Sequence, residues 1–400
     1  MIYLDNNATT RLDPRVLAAM MPFLTDNFAN AASTHPFGAG ASEAVKTARQ
    51  QLADLLTCDP HELVFTSGAT EAINLAIKGV AERYGAEKRH IVTVQTEHKA
   101  VLDVCRYLET RGFAVTYLPV RPHNVPGAGL VNLADLRAAL RPDTLLVAVM
   151  WVNNETGVIQ PITDMARLAH EAGALFMTDA TQAVGKLPID VDAAGVDLLA
   201  FSAHKFYGPK GVGGLYVRQH SLPHVPDRKV KLEAQLHGGG HERGLRSGTL
   251  NVPGIVGMGA AAALARQEMC VETQCIADAR ETQCIASLRD QLETSLLTIP
   301  GTSINGTPEH RLYNTTNIYF ENCDSDALIM GLDGIAVSNG SACTAASIDP
   351  SHVLLALGLS EQEAFSCLRL SLGRFTTEAD ITATVAAIKE VVEELRALVG

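Results

Sequence analysis

Three strand-like runs in this 400-residue chain end in side chains that could do chemistry together. In "FTSGATEAINLAI" (65–77) a β-rich run passes through Thr66, Ser67 and Gly68 into a helical pattern. A helix starting there would offer free backbone N–H groups to an anion, although capping by Ser67 or Thr66 is the plainer use. In "FMTDATQAVGK" (176–186), Asp179 and Gln182 directly follow a similar run. A carboxylate at that point either caps the next helix or holds a protonated ring nitrogen. In "LLAFSAHKFYGPKGVGGLYV" (198–217), Ser202, His204 and Lys205 close an apolar run ahead of a glycine-rich loop. A lysine at a pocket mouth suits Schiff-base chemistry, because its pKa falls readily on desolvation. A phosphate cradle, a carboxylate for a pyridinium nitrogen and a lysine for an aldehyde are together what pyridoxal 5′-phosphate requires.

A fourth stretch, "SNGSACTAASIDPS" (338–351), sets Cys343 among small residues just after Gly340. It reads as an exposed, bendable loop carrying one soft nucleophile. No Lys or Arg lies between 325 and 351, and Asp333 and Asp349 flank the cysteine, so no sequence neighbour lowers its pKa. An ordinary thiol at rest, activated when the loop folds inward, is the expectation.

These positions need a scaffold. From about residue 60 to 220, "HIVTVQ", "AVTYLPV", "LLVAVMWV", "LFMTDA" and "LLAFSAH" are apolar on nearly every position, as strands buried on both faces are. Helical patterns such as "TEAINLAIKGVAERYG" and "ITDMARLAHEAG" lie between them, which predicts a mostly parallel sheet covered by helices. Ligands of such sheets sit beyond the carboxyl ends of the strands, where the loaded residues fall. Residues 219–233 read as a loop, and "HGGGHERGLRSGT" and an Ala-rich helix from about 254 follow. "ETQCIADAR" (272–280) and "ETQCIASLR" (281–289) are a tandem copy in a helix expected to be exposed enough to tolerate it. From about 300 a second α/β unit is expected, as the length itself suggests.

A formal charge of −12 argues against nucleic-acid or anionic-membrane partners. The start "MIYLDNNATT" shows no secretory signal and no apolar run is long enough to span a bilayer, so a cytoplasmic protein is expected. The eight cysteines show no CxxC spacing, and HExxH, GxGxxG, GxxxxGK[ST] and GxSxG are all absent.

Over nearly its whole length the chain resembles the NifS/IscS-type cysteine desulfurases of the class V aminotransferase family. The resemblance is carried by "YLDNNATT", "FTSGATE", "TEHKAVLD", "VNNETG", "DATQAVGKLPID", "SAHKFYGPKGVG", "GGGHERGLRSGT", "SNGSACTAAS" and "LRLSLGRFT". It implies a fold-type-I, aspartate-aminotransferase-like α/β architecture with a large, mostly parallel seven-stranded sheet. Residues 14–258 would form the large domain; 1–13 and 259–400 would form the small one, carrying the catalytic loop at about 333–351.

The resemblance further implies that Lys205 binds pyridoxal 5′-phosphate covalently and shuttles protons. Asp179 would pair with the ring nitrogen, Gln182 with the ring hydroxyl, and His98 would stack on the ring. Ala69, Thr70, Ser202 and His204 would hold the phosphate, and Thr249 would reach the phosphate of a neighbouring subunit in a homodimer. Asn154 would contact cofactor and substrate, and Arg369 would clamp the carboxylate of L-cysteine, with Arg374 as the competing candidate. Cys343 would take the sulfur as a persulfide, leave L-alanine, and pass the sulfur to an acceptor protein: an iron–sulfur scaffold, a tRNA-thiolating enzyme or a DNA-phosphorothioation system. Cys323, in "ENCDSD", is a further thiol expected at the surface, and Tyr207 and Asn6 are secondary site candidates. Ala31 stands for a common Pro and Asn339 for a common Ser, and by the resemblance an end at "ELRALVG" would lack the longer tail that helps dock a scaffold protein, which leaves the acceptor open. A selenocysteine lyase, another lyase or aminotransferase of this fold, and a non-catalytic cofactor-binding platform are the alternatives. Cys343 argues against an aminotransferase, and Lys205, Asp179 and Arg369 against a platform.

Overall fold

The computed structural model describes residues 1–221, 229–274, 281–340 and 349–399, with the backbone alone for 270–274, 281–284 and 399. After β1 (Ile2–Tyr3), seven strands build the main sheet: β2 (Leu63–Thr66), β3 (His90–Val94), β4 (Ala114–Leu118), β5 (Thr144–Ala148), β6 (Leu175–Asp179), β7 (Leu198–Ser202) and β8 (Gly213–Val217). Their order is β2-β8-β7-β6-β5-β3-β4. The run from β7 to β4 is parallel, and β8 is antiparallel to both β7 and β2.

Strands β3, β5, β6 and β7 are buried at every position, as their unbroken apolar sequences require. Successive residues feed opposite cores: Phe176, Leu199 and Phe201 on one face, Met177, Leu198 and Ala200 on the other. The run "AVTYLPV" departs from its expected burial. Strand β4 lies at the sheet edge, so Ala114 is exposed and the next three residues are half-buried.

The remaining strands are β9 (Thr302–Ile304), β10 (Thr315–Phe320), β11 (Ile335–Ala336) and β12 (Cys367–Ser371). Strands β12, β10 and β9 form an antiparallel sheet, and β1 pairs in parallel with β11. The helices Glu281–Leu296 and Glu378–Val399 close a separate core on this sheet through Leu292, Leu296, Ile381 and Ile388. Ile285 and Leu288, in the second copy of the tandem repeat, are buried in that core, so this copy is held by packing rather than exposed. Residues 275–280, the end of the first copy, lie outside the described residues, as do 222–228 of the expected loop. No helix among the described residues is long and apolar enough to cross a membrane.

The N-terminal segment ties the core of the smaller sheet to the main sheet. Leu4 packs into the smaller core, the Asn7 N–H donates to Ser371 Oγ, and Asn7 and Ala8 reach the wall of a cavity beside the main sheet.

Candidate active site

The cavity, of about 450 Å³, lies where β6 and β7 end and the helix Ala69–Tyr84 begins. That helix starts from Gly68 with no side-chain cap, so the expected use of Ser67 or Thr66 as a cap gives way to open N–H groups. Gly213 of β8 makes this placement possible: a Cβ there would stand 2.7 Å from the Gly68 Cα. Ala69, Thr70, Ser202 and His204 line this end of the cavity. His204 Nδ1 lies 3.1 Å from Thr9 Oγ1. Burial, reinforced by Lys205, Lys210 and Lys186, lowers its pKa to about 4. The ring is therefore neutral near pH 7, and with Thr9 donating to Nδ1 it offers an Nε2–H.

Asp179 closes β6, and its Oδ1 accepts the Thr181 N–H at 2.9 Å; Oδ2 has no protein donor among the described residues. Lys205 stands on the short turn after β7, its Nζ donating to the carbonyls of Asn7 at 2.6 Å and Ala8 at 2.8 Å. His98 caps the helix Lys99–Glu109, accepting the Ala100 N–H at Nδ1, and its ring also lines the cavity. Capping and lining the cavity are compatible uses of one ring.

Arg369 also reaches the cavity wall, with Nη2 on Asp5 Oδ1 at 2.6 Å and Nη1 on the Asn154 carbonyl at 3.0 Å. Its Nε is buried with no acceptor among the described residues. Arg374 is committed elsewhere, to Asp13 and Glu268 and over the Tyr207 ring. Tyr207 and Asn6 do not line this cavity: Asn6 is turned toward the Ser371 carbonyl, and its neighbour Asn7 takes the cavity position. Thr249 is exposed in the segment after the glycine-rich run and does not line the cavity of its own chain.

Cys343 lies outside the described residues, but the chain on either side of it is tied to the site. Ser338 bridges Arg369 in antiparallel fashion, and Gly340 lines the cavity with φ near +87°. A Cβ on Gly340 would stand 2.5 Å from Glu155 Oε2, the oxygen that accepts the Ser351 hydroxyl. The other described thiols are poor carriers. Cys323 is fully buried rather than exposed, and burial raises Cys105 and Cys367 to about 12 and Cys58 further.

Four polar residues around the cavity carried no signal in the sequence reading. Asn7 supports Lys205 and Gln182 through its carbonyl. Lys186 lies buried behind Gln182. Asp5 pairs with Arg369. Glu97, beside His98, is buried with no partner for Oε2 among the described residues, and burial together with the Asp179 charge pushes its carboxyl well above the usual range. Only "DNN" and "GK" mark the first three, and nothing local distinguishes such residues from surface ones.

The class-V aminotransferase family matches residues 2–384. Cysteine desulfurase IscS of Pectobacterium carotovorum is 50% identical over 400 residues, covering 99% of this chain and 94% of its own. The chain belongs to the cysteine desulfurases of the class-V aminotransferase family. Among solved structures, a NifS-like protein shares 38% identity with a TM-score of 0.86 and 99% of each chain covered. SspA in complex with cysteine shares 39% at a TM-score of 0.79, covering 94% of this chain and all of its own. Members of the class-V family generally work with pyridoxal phosphate, and the donor set of this cavity fits that group. It offers an uncapped helix start for a phosphate, a carboxylate oxygen with no donor among the described residues for a ring nitrogen, and a lysine lining the same cavity.

Proposed function

We propose that this cavity binds pyridoxal 5′-phosphate and L-cysteine, and that the Cys343 thiol takes the substrate's sulfur, leaving L-alanine. The observation that carries this reading is the meeting of Lys205, Asp179, His98 and an open helix start around one cavity, with Gly340, three residues before Cys343, in its wall. Three residues of extended chain span roughly 11 Å at most, so Gly340 keeps the thiol within range of the cavity.

The N–H groups at Ala69 and Thr70, with Ser202 and His204, would hold the phosphate, and Asp179 would keep the ring nitrogen protonated. Gln182 would meet the ring hydroxyl, and His98 would lie against the ring. Bound there, the cofactor supplies an electron sink for the pair released from the substrate. Lys205 Nζ would hold the aldehyde carbon at rest and move a proton at the substrate Cα once displaced. Arg369 and Asn154 would orient the substrate carboxylate and amine, Arg369 being already fixed by Asp5. The new S–S bond forms at Cys343 as the Cβ–S bond breaks, and alanine leaves after protons return to carbon.

Family resemblance and the exposed position of Thr249 support a homodimer in which that residue serves the neighbouring site. The persulfide would then pass to an acceptor protein. The four described cysteines with described side chains are unpaired thiols, which suits a reducing compartment such as the cytoplasm.

Purified protein given L-cysteine and a dithiol, which reduces the persulfide and releases its outer sulfur, should form alanine and sulfide in equal amounts. Cys343→Ser should keep the visible absorption of the bound cofactor and lose sulfide release. Unchanged turnover in that variant would defeat the assignment.

A further inference from the structure

Lys186 is among the most buried ionisable groups beside the cavity, and no step above uses it. Its Nζ donates to Gln182 Oε1 at 2.7 Å and, at 3.4 Å, to Asn7 Oδ1. Gln182 Nε2 in turn donates to the Asn7 carbonyl at 2.9 Å. Both partners of the Gln182 amide have a fixed sense. A protonated amine has only hydrogens to give, and a backbone carbonyl can only accept. The two contacts therefore leave the amide one orientation, in which its second N–H is the group available to the cavity that Gln182 lines.

We propose that Lys186 is a positioning residue that locks the Gln182 amide, so that the ring oxygen of the bound cofactor meets a hydrogen-bond donor and not a carbonyl. This rests on the reading that Gln182 meets the ring hydroxyl of pyridoxal phosphate. The chemistry requires the choice. A donated hydrogen bond favours the ionised ring oxygen, whereas a flipped amide would set a carbonyl against it and oppose ionisation. Asn7 supports the same arrangement: its Nδ2 donates to Thr315 Oγ1 and the Asn154 carbonyl, which turns Oδ1 toward Lys186. Gly185, at φ near +75°, lets this turn pack on Phe206, the residue after Lys205; a Cβ there would stand 2.5 Å from the Phe206 Cβ. Burial, with Lys205 and Arg369 nearby, lowers the Lys186 pKa to about 7. A neutral amine keeps two N–H groups but gains a lone pair, so Lys186 is confined to donating only while it is protonated, whereas the Asn7 carbonyl can only accept at any pH.

The test is a double-mutant cycle read by the pH midpoint of the bound cofactor's visible band, with Lys186→Met, Gln182→Ala and the double variant. Loss of the donor should raise the midpoint by about one pH unit in each single variant. In the double variant the shift should be no larger than in Gln182→Ala, because Lys186 acts through the amide. Lys186→Arg, which can also only donate, should leave the midpoint near that of the wild type, and it is read in its own right if Lys186→Met does not fold. A full shift in Lys186→Arg, no shift in Lys186→Met, or shifts that add in the double variant would each overturn the proposal. A silent Gln182→Ala with cofactor bound would show instead that the amide does not meet the ring oxygen, and would remove the reading beneath the proposal as well.

Discussion

His204 shows how a single side chain is tuned by the company it keeps. Burial, then Lys205, Lys210 and Lys186, hold its pKa near 4, so an anion in the cradle meets a neutral donor and not a cation. The positive charge facing a phosphate then comes from lysines and the helix start. His204→Gln, which retains a neutral donor, should keep cofactor affinity within a few-fold, whereas His204→Ala should weaken it by about tenfold, the worth of one lost hydrogen bond. Titration of cofactor affinity in the two variants checks this. The sign of the pH effect on stability follows from the same shift. Between about 6.5 and about 4 the unfolded chain binds a proton that the folded chain refuses, so this residue's contribution is lost as pH falls through that window. Lys205 and Asp179 were legible in the sequence because each ends an apolar run that reads as a buried strand, and His98 through the family resemblance. Lys186 and Asn7 were not. Their importance arises from meeting across 179 positions of chain, a contact no local pattern encodes.

At the scale of elements, the segments on either side of Cys343 converge on Glu155, in the turn after β5. Gly340 lies against its carboxylate, which accepts the Ser351 hydroxyl, and Ser351 caps the helix His352–Ala356. Burial raises the Glu155 pKa to about 7, opposed by Ser351, Arg369, His98 and Lys99. Here the folded chain holds the proton that the unfolded chain releases, so stability falls as pH rises from about 4.5 to about 7. Glu155→Gln keeps the acceptor for Ser351 without the titration. Urea unfolding at a series of pH values should therefore find a flatter profile across that window in the variant. An identical slope in both proteins would show that Glu155 does not titrate there. The strands around these turns were readable as elements because burial on both faces leaves an unbroken apolar sequence. Strand β4 has the same composition but an edge position, and edge status depends on strand order, which composition does not carry.

At the scale of the whole molecule, the N-terminal segment links the smaller sheet to the main one, sending Asp5 to Arg369 and Asn7 to Lys186 and the Lys205–Gln182 pair. One chain thus assembles the Arg369 side and the Lys205 side of the cavity from distant parts of its sequence. Thr249, unlike Lys205, Asp179 and His98, has a described position away from that cavity, exposed beyond the glycines of "HGGGHERGLRSGT". In a twofold homodimer with shared sites, each cavity would take Lys205 from one chain and Thr249 from the other. Co-expression of Lys205→Ala with Thr249→Glu separates the arrangements. Each variant alone leaves every site of its homodimer defective. A mixed dimer would place both defects in one site and leave the other intact, giving about a quarter of wild-type activity if chains pair at random. If Thr249 served its own chain, or not at all, each mixed dimer would show only the sum of its two chains' separate activities. Sulfide release from the co-expressed pair, compared with the two variants mixed after purification, decides between these outcomes.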